Sequence, residues 1–241
     1  METYFKLLEQ IDAATTIKPE LRASKQIGSH YANWVLPGYL MCGGYPGQDG
    51  ITHFTEDEAL ENLRHIVEDG IDTFVCLQAE LPPQCETACS TVIHPYFPKY
   101  EDYAYTLRRN QIQSITGNDF RFLHTPMIDQ STPTKAEFMK NVAIIIGMIM
   151  IEKRVVYLHC AQGHGRTGVY VAGILTVLYS QYDIEDILRF IQYTHDTRHY
   201  YQCHDVIPPL SPNTKRQVAF VKEFYQFIQW MYSSGSTESF S

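Results

Sequence analysis

The stretch Val155-Val-Tyr-Leu-His-Cys-Ala-Gln-Gly-His-Gly-Arg-Thr-Gly168 decides how this 241-residue chain is read. Val155 to His159 opens with two β-branched residues and suits a short strand. A loop with glycines follows, and a helix is expected from Gly165 to Ser180, where Val169 to Leu178 is apolar almost all round and so belongs in the middle of a domain. In open α/β sheets, ligands sit outside the carboxyl ends of the strands, so this order carries Cys160 to the edge where a ligand would dock. Five residues separate Cys160 from Arg166. Gly163 and Gly165 let the loop curl until its backbone N–H groups point inward. Such a ring at a helix N-terminus binds a phosphate-sized dianion. The expected phosphate-binding positions are Ala161, Gln162, Gly163, His164, Gly165 and Arg166, whose guanidinium is a bidentate clamp for oxyanions. The same donors favour the thiolate form of Cys160, and a thiolate on the floor of an anion cup is placed to attack phosphorus. A buried strand cysteine followed by an ordinary glycine turn would leave the two glycines, the arginine and the threonine unexplained.

Outward from this stretch, strand-like and helix-like segments alternate from Leu40 onward. The pattern predicts an α/β fold with a central, mostly parallel sheet of about five strands flanked by helices. Thr55 with Glu58 three places on is a capping pattern for a helix ending at Asp69, with Gly70 closing it. Further strands are expected at Asp72-Thr-Phe-Val-Cys-Leu77 and at Phe120 to His124. A helix is expected over Thr134 to Lys153, preceded by Pro133 and ending on Lys153 and Arg154 as the helix dipole favours. Amphipathic helices are expected at Asp183 to Thr194 and Thr214 to Tyr232. The domain plan is a helical extension over 1–32, one catalytic domain over 33–232 and a polar, disordered tail over 233–241. Gln78 to Asn118, with its prolines and clustered aromatic residues, is the least regular part and a candidate functional loop.

Composition narrows the classes. Hydrophobic residues are 44% and charged residues 19% of the chain, as in a globular protein with a full core. The net charge of −8 disfavours diffuse attraction to nucleic acid or to anionic membranes, so any bound anion must be held locally. The longest apolar run, Val142 to Ile151, is about half the ~18 residues of a membrane span and reads as a buried helix. The N-terminal METYFKLLEQIDAAT lacks a basic start and an apolar core, reads as an amphipathic helix, and leads us to expect a cytoplasmic protein whose six cysteines are thiols. Cys85 and Cys89 lack the second pair that a zinc site needs.

His159, Cys160 and the run to Arg166-Thr-Gly168 resemble the signature of the cysteine-based protein tyrosine phosphatase superfamily, and HCxxGxGRTG across strand, loop and helix is highly specific. Trp34 to Pro46 and Phe74 to Glu80 are similar to the opening strands of compact, dual-specificity members, so the resemblance covers about residues 33 to 232. It implies a protein tyrosine phosphatase-like domain without metal or cofactor. The implied reaction has two steps through a cysteinyl-phosphate. Asp129, 31 residues before Cys160 in Thr125-Pro-Met-Ile-Asp129, matches the general acid, whereas Asp119 precedes its strand and belongs at the opposite edge. By the same resemblance Thr167 stabilises the departing Cys160, His159 orders the loop, and Asn213 or Gln217 helps to place the attacking water.

The implied substrate is a phosphorylated protein, with phosphotyrosine first and phosphoserine or phosphothreonine after it. The five loop positions 161–165 lack the lysine or arginine that phosphoinositide-directed relatives tend to carry, and only a protonated His164 would add charge. A phosphoinositide or another small phosphate ester is the second reading. A non-catalytic phosphate-binding module would typically have lost the cysteine, the arginine or the acid, and a sulfur-transfer or arsenate-reducing enzyme has no need of Asp129 with this helix start. Two side features remain. His195, His199, Cys203 and His204 lie close together as conceivable metal ligands, against a family mechanism that uses none. Cys76, on a strand leading to the same edge, is a candidate for an oxidative disulfide with Cys160 or simply a buried thiol.

Overall fold

The computed structural model describes residues 31–47, 55–80, 120–198 and 207–235. Two strands, β1 (Ala32–Leu36) and β2 (Leu40–Gly43), form an antiparallel hairpin. Three more, β3 (Thr73–Gln78), β4 (Arg121–Met127) and β5 (Val156–His159), complete a five-stranded sheet of order β1-β2-β5-β3-β4 that is parallel everywhere except at β1. The helices are α1 (Glu56–Glu68), α2 (Lys135–Met150), α3 (Gly165–Leu178), α4 (Ile184–Asp196) and α5 (Lys215–Gly235).

Strand side chains alternate between the faces of the sheet, and the two cores follow that period. Leu40, Cys42, Val75, Leu77, Val156 and Leu158 face the larger core, shared with α2, α3, α4 and α5. Met41, Phe74, Cys76 and Tyr157 face the smaller one with Leu63, Ile66 and Val67 of α1. Helix α3 is buried from Arg166 to Leu178, which places it centrally, as its all-round apolar sequence requires. Because β3, β4 and β5 are parallel, their carboxyl ends meet on one edge. The chain leaves that edge at Glu80, Asp129 and Cys160 respectively.

The capping pattern at Thr55 forms as expected: the Glu58 N–H donates to the Thr55 hydroxyl while the Glu58 side chain accepts from the Thr55 N–H. Several boundaries differ from the sequence reading. Strand β4 runs on to Met127, through Pro126; β4 lies at the sheet's edge, where a proline forfeits no ladder bond. Helix α2 stops at Met150, short of Lys153, because Lys153 adopts a left-handed φ of 57° and the N–H groups of Glu152 and Arg154 turn back to Gly147 and Met148. Helix α3 ends at Leu178, two residues before Ser180. Helix α4 continues to Asp196. Helix α5 reaches Gly235, so the tail expected from 233 starts inside a helix, which the buried Ile228 and Met231 anchor.

The expected N-terminal helix, Cys85, Cys89, Asp119, most of the 78–118 segment, His199, Cys203, His204 and the last six residues lie outside the described residues. Among the described residues no helix is long and apolar enough to cross a membrane.

Candidate active site

Strand β5 delivers Cys160 to the sheet edge, where the residue is 3% exposed, and the chain from Ala161 to Gly165 curls back into α3. Every carbonyl of this loop from Ala161 to His164 is held from outside. The Ala161 oxygen accepts from the Tyr45 N–H at 2.9 Å. Those of Gln162 and Gly163 accept from Arg198 at 3.2 and 2.9 Å, and that of His164 accepts from the Ser211 hydroxyl at 3.0 Å and the Gly168 N–H at 2.9 Å. In a trans peptide the N–H points opposite the C=O of the same unit, so four outward carbonyls set the N–H groups of Gln162, Gly163, His164 and Gly165 on the inner side. The Gly163 N–H donates to Cys160 Sγ at 3.2 Å. Gly163 sits at φ 75°, the left-handed region that glycine tolerates best.

The loop floors a cleft of about 220 Å³ that Glu80, Asp129, Gln130, Asn213 and Gln217 close from the sides. Arg166 reaches it from the first turn of α3 with only 2% exposure. Its two terminal nitrogens donate to both oxygens of Glu80, at 2.6 and 2.8 Å, and one also donates to the Met127 carbonyl at 3.2 Å. Its Nε lies 3.4 Å from Asp129 Oδ1 but makes no hydrogen bond, so one buried donor of the clamp remains uncommitted. Burial disfavours the charge on both partners, yet the pairing wins. Arg166 is held above its ordinary pKa, and Glu80 is held below the usual carboxylate range by the guanidinium. Asp129 follows the end of β4 on an exposed turn closed by the Ser131 N–H to the Ile128 carbonyl, its side chain 64% exposed beside Arg166.

The remaining expected residues are placed unequally. His159 is fully buried, stacked on Tyr157, with a ring contact to the Cys160 backbone; burial pushes it down to about 3, so it is neutral. His164 lines the cleft, but burial, then the charge of Arg198, also pushes it down to about 3. It therefore adds no charge at neutral pH, and the only side-chain cation in the loop is Arg166. His195 stands 2.8 Å from His164 and is pushed further down by burial. The Thr167 hydroxyl is buried, outside the cleft lining, with no hydrogen-bond partner among the described residues. Gly163, likewise behind the lining, contributes its N–H to Cys160. Asn213 is exposed at the rim. Gln217 is fully buried, with Oε1 accepting from the Thr214 N–H and Nε2 donating to the Ser131 carbonyl, so its amide ties α5 to the turn carrying Asp129. Cys76 is buried on β3, where burial pushes its thiol up to about 12. Cys42, Cys76 and Cys160 are all free thiols.

Sequence reasoning missed Glu80 and Arg198. Glu80 had a usable signal, a carboxylate two residues past a strand on the edge that bears Cys160. Arg198 had none, because it stands after the end of α4 and meets the loop only through the fold.

The family model described as polymorphic toxin system, DSP-PTPase phosphatase, matches residues 50–178, just over half of the chain. No curated protein sequence matches. Among solved structures, Tk-PTP in its active form is similar at 16% identity, covering 81% of this chain and 97% of that one with a TM-score of 0.53. PTPMT1 in complex with PI(5)P is similar at 15% identity, with 81% and 95% covered and a TM-score of 0.51. The human tyrosine phosphatase-like serine/threonine/tyrosine-interacting protein is similar at 14% identity, with 82% and 97% covered and a TM-score of 0.50. At these identities the likeness is one of fold.

Proposed function

The chain belongs to the DSP-PTPase phosphatase family of polymorphic toxin systems, and from that premise we propose that it hydrolyses phosphomonoesters on proteins, phosphotyrosine first, through a cysteinyl-phosphate. The phosphoryl dianion sits among the inward N–H groups of the loop, with the uncommitted Nε of Arg166 as a further donor. The Cys160 thiolate attacks phosphorus, a sulfur–phosphorus bond forms, and the bond from phosphorus to the ester oxygen breaks. Asp129 gives that oxygen its proton. A water then attacks the phosphocysteine, the Asp129 carboxylate takes the water's proton, the sulfur–phosphorus bond breaks, and Cys160 departs as thiolate with release of inorganic phosphate.

The observation that carries this reading is the ring of outward carbonyls with the Gly163 N–H on Cys160 Sγ. It makes a cup for an oxyanion with the nucleophile as its floor. A protein phosphoester is favoured over a phosphoinositide because positions 161–165 carry no lysine or arginine and His164 is neutral. Phosphotyrosine is placed first because His159, Cys160 and the run to Arg166-Thr-Gly168 resemble the protein tyrosine phosphatase signature.

Hydrolysis of para-nitrophenyl phosphate by the wild type and by Cys160→Ser tests the chemistry. Activity is expected to vanish in the variant, and equal rates would overturn the proposal. Asp129→Ala is expected to lose about 10²–10³-fold on aryl phosphates of weakly acidic phenols, and far less where the leaving group needs no proton. Equal losses on both would place the acid elsewhere. Faster turnover of phosphoinositides than of phosphotyrosine peptides would move the substrate to the lipid class.

A further inference from the structure

Behind the cup, on the side away from the cleft, lies a buried guanidinium that the reaction above does not use. Arg198 follows the C-terminal residues of α4, is 1% exposed, and is held by its own N–H to the His195 carbonyl. Its Nε donates to Asn33 Oδ1 on β1 at 2.9 Å. The two terminal nitrogens grip the loop, one donating to the Gln162 carbonyl at 3.2 Å and the other to the Gly163 carbonyl at 2.9 Å. No carboxylate among the described residues lies within salt-bridge distance of it. Burying an unpaired cation is costly, and such a group persists where its hydrogen bonds and a nearby anion compensate.

The carbonyl of Gln162 and the N–H of Gly163 belong to one peptide group. Arg198 holds the oxygen end of that group, and Cys160 Sγ accepts from its nitrogen end at 3.2 Å. A cation on the carbonyl polarises the amide and strengthens the N–H as a donor. The next peptide group repeats the arrangement, with Arg198 on the Gly163 carbonyl and the His164 N–H on the inner side. The titratable groups around Arg198 are Cys42, Tyr157, His164, His195 and Asp196. Burial keeps the first four neutral near pH 7, the thiol and phenol by raising them and the two imidazoles by lowering them, which leaves the partly exposed Asp196 carboxylate, beyond salt-bridge distance, as the other charged group beside the guanidinium. Cys160 itself is faced by Cys42 from β2, Cys76 from β3, Tyr157 from β5 and Arg166 from α3.

We infer that Arg198 is a positioning residue of the oxyanion cup: it fixes the inward N–H groups and, through the Gln162–Gly163 peptide group, strengthens the N–H that donates to Cys160 Sγ. The inference rests on the cup and nucleophile assigned above. Its tests need no turnover, so the two readings fail separately.

Arg198→Met keeps most of the volume and removes the charge and the fork, while Arg198→Lys keeps the charge and removes the fork. Two quantities are read at pH 7: the rate of alkylation by iodoacetamide, corrected with Cys160→Ser, and the calorimetric affinity for tungstate. Near-UV circular dichroism shows whether each variant is folded. Arg198→Met is expected to slow alkylation about tenfold and to weaken tungstate binding about tenfold, with Arg198→Lys intermediate in both. A purely structural role predicts the opposite sign for alkylation, because a loosened loop exposes Cys160 and speeds it. Wild-type values in a folded Arg198→Met overturn the inference. If that variant does not fold, wild-type tungstate affinity in Arg198→Lys overturns it instead. Normal alkylation and tungstate binding in a wild-type protein that hydrolyses no phosphomonoester would sink the proposed function and leave the role of Arg198 standing.

Discussion

Arg166 holds its charge between Glu80, which takes both ends of its fork, and Asp129 beside its Nε. An arriving dianion therefore meets a cation already partly neutralised, and binding must shift Asp129 aside or share Arg166 with it. Glu80 is 39% exposed, so water screens much of its attraction. The full penalty for orphaning a buried ion, about 3–5 kcal/mol, does not apply, and Glu80→Ala is expected to cost about 1–2 kcal/mol. Saturating tungstate supplies a replacement anion, so it should raise the melting temperature of Glu80→Ala by more than that of the wild type. Equal increments in the two proteins would show that Glu80 is not the resting counter-ion. This pair also marks the reach of sequence reading at this scale. Cys160 and Arg166 are legible because one loop holds both, and Asp129 because it follows a strand aimed at the same edge. Glu80 and Arg166 are 86 positions apart, and only the parallel pairing of β3 with β5 brings them together.

Gly163 and Gly38 share nearly the same backbone conformation, φ 75° and φ 76°, in elements of unlike tightness. Gly38 turns the β1–β2 hairpin in open space, where an added Cβ meets nothing within 4 Å. Gly163 packs its loop on β2, where a Cβ would stand 2.3 Å from the Gly43 carbonyl carbon and 2.4 Å from its oxygen. Gly38→Ala should cost about 1 kcal/mol, the left-handed penalty alone. Gly163→Ala adds a clash with backbone that cannot rotate away, so its cost should exceed about 3 kcal/mol and oxyanion binding should be lost. Urea unfolding of both variants measures the difference; similar midpoints would mean that the loop relaxes off β2. The elements themselves were legible where their patterns are local: the Thr55 cap, the apolar α3 and the β-branched start of β5. Their ends were less so. Pro126 reads as a break until β4 is known to be an edge strand, and Lys153 reads as a helix terminus until its left-handed φ is seen.

Across the whole molecule, the net charge of −8 and the anion site are compatible because the donors are confined to one loop and one helix start. What composition conceals is where the histidines go. Three of the ten, His159, His164 and His195, are packed around or behind the loop as neutral rings. Burial holds the first two at about 3 and pushes His195 lower, whereas in the unfolded chain each takes a proton near 6.5. Between those values the unfolded state binds more protons than the folded one, so stability is greatest above about pH 6.5 and is lost as pH falls through it toward 3. Glu80, held low by Arg166, acts in the same direction further down, in the carboxylate range. Relief of the net negative charge on acidification opposes this, but surface repulsion is screened and the desolvated rings are not. One pH unit below 6.5, each ring accounts for about 1 kcal/mol, so that together, with His164 and His195 coupled by contact, they account for a few kcal/mol of the ~5–15 kcal/mol of a typical domain. Urea unfolding at pH 7.5 and pH 5.5 should show that loss, and His195→Gln should narrow the difference between the two. A protein equally stable at both pH values would mean that these rings are charged, or hydrated, in the folded state.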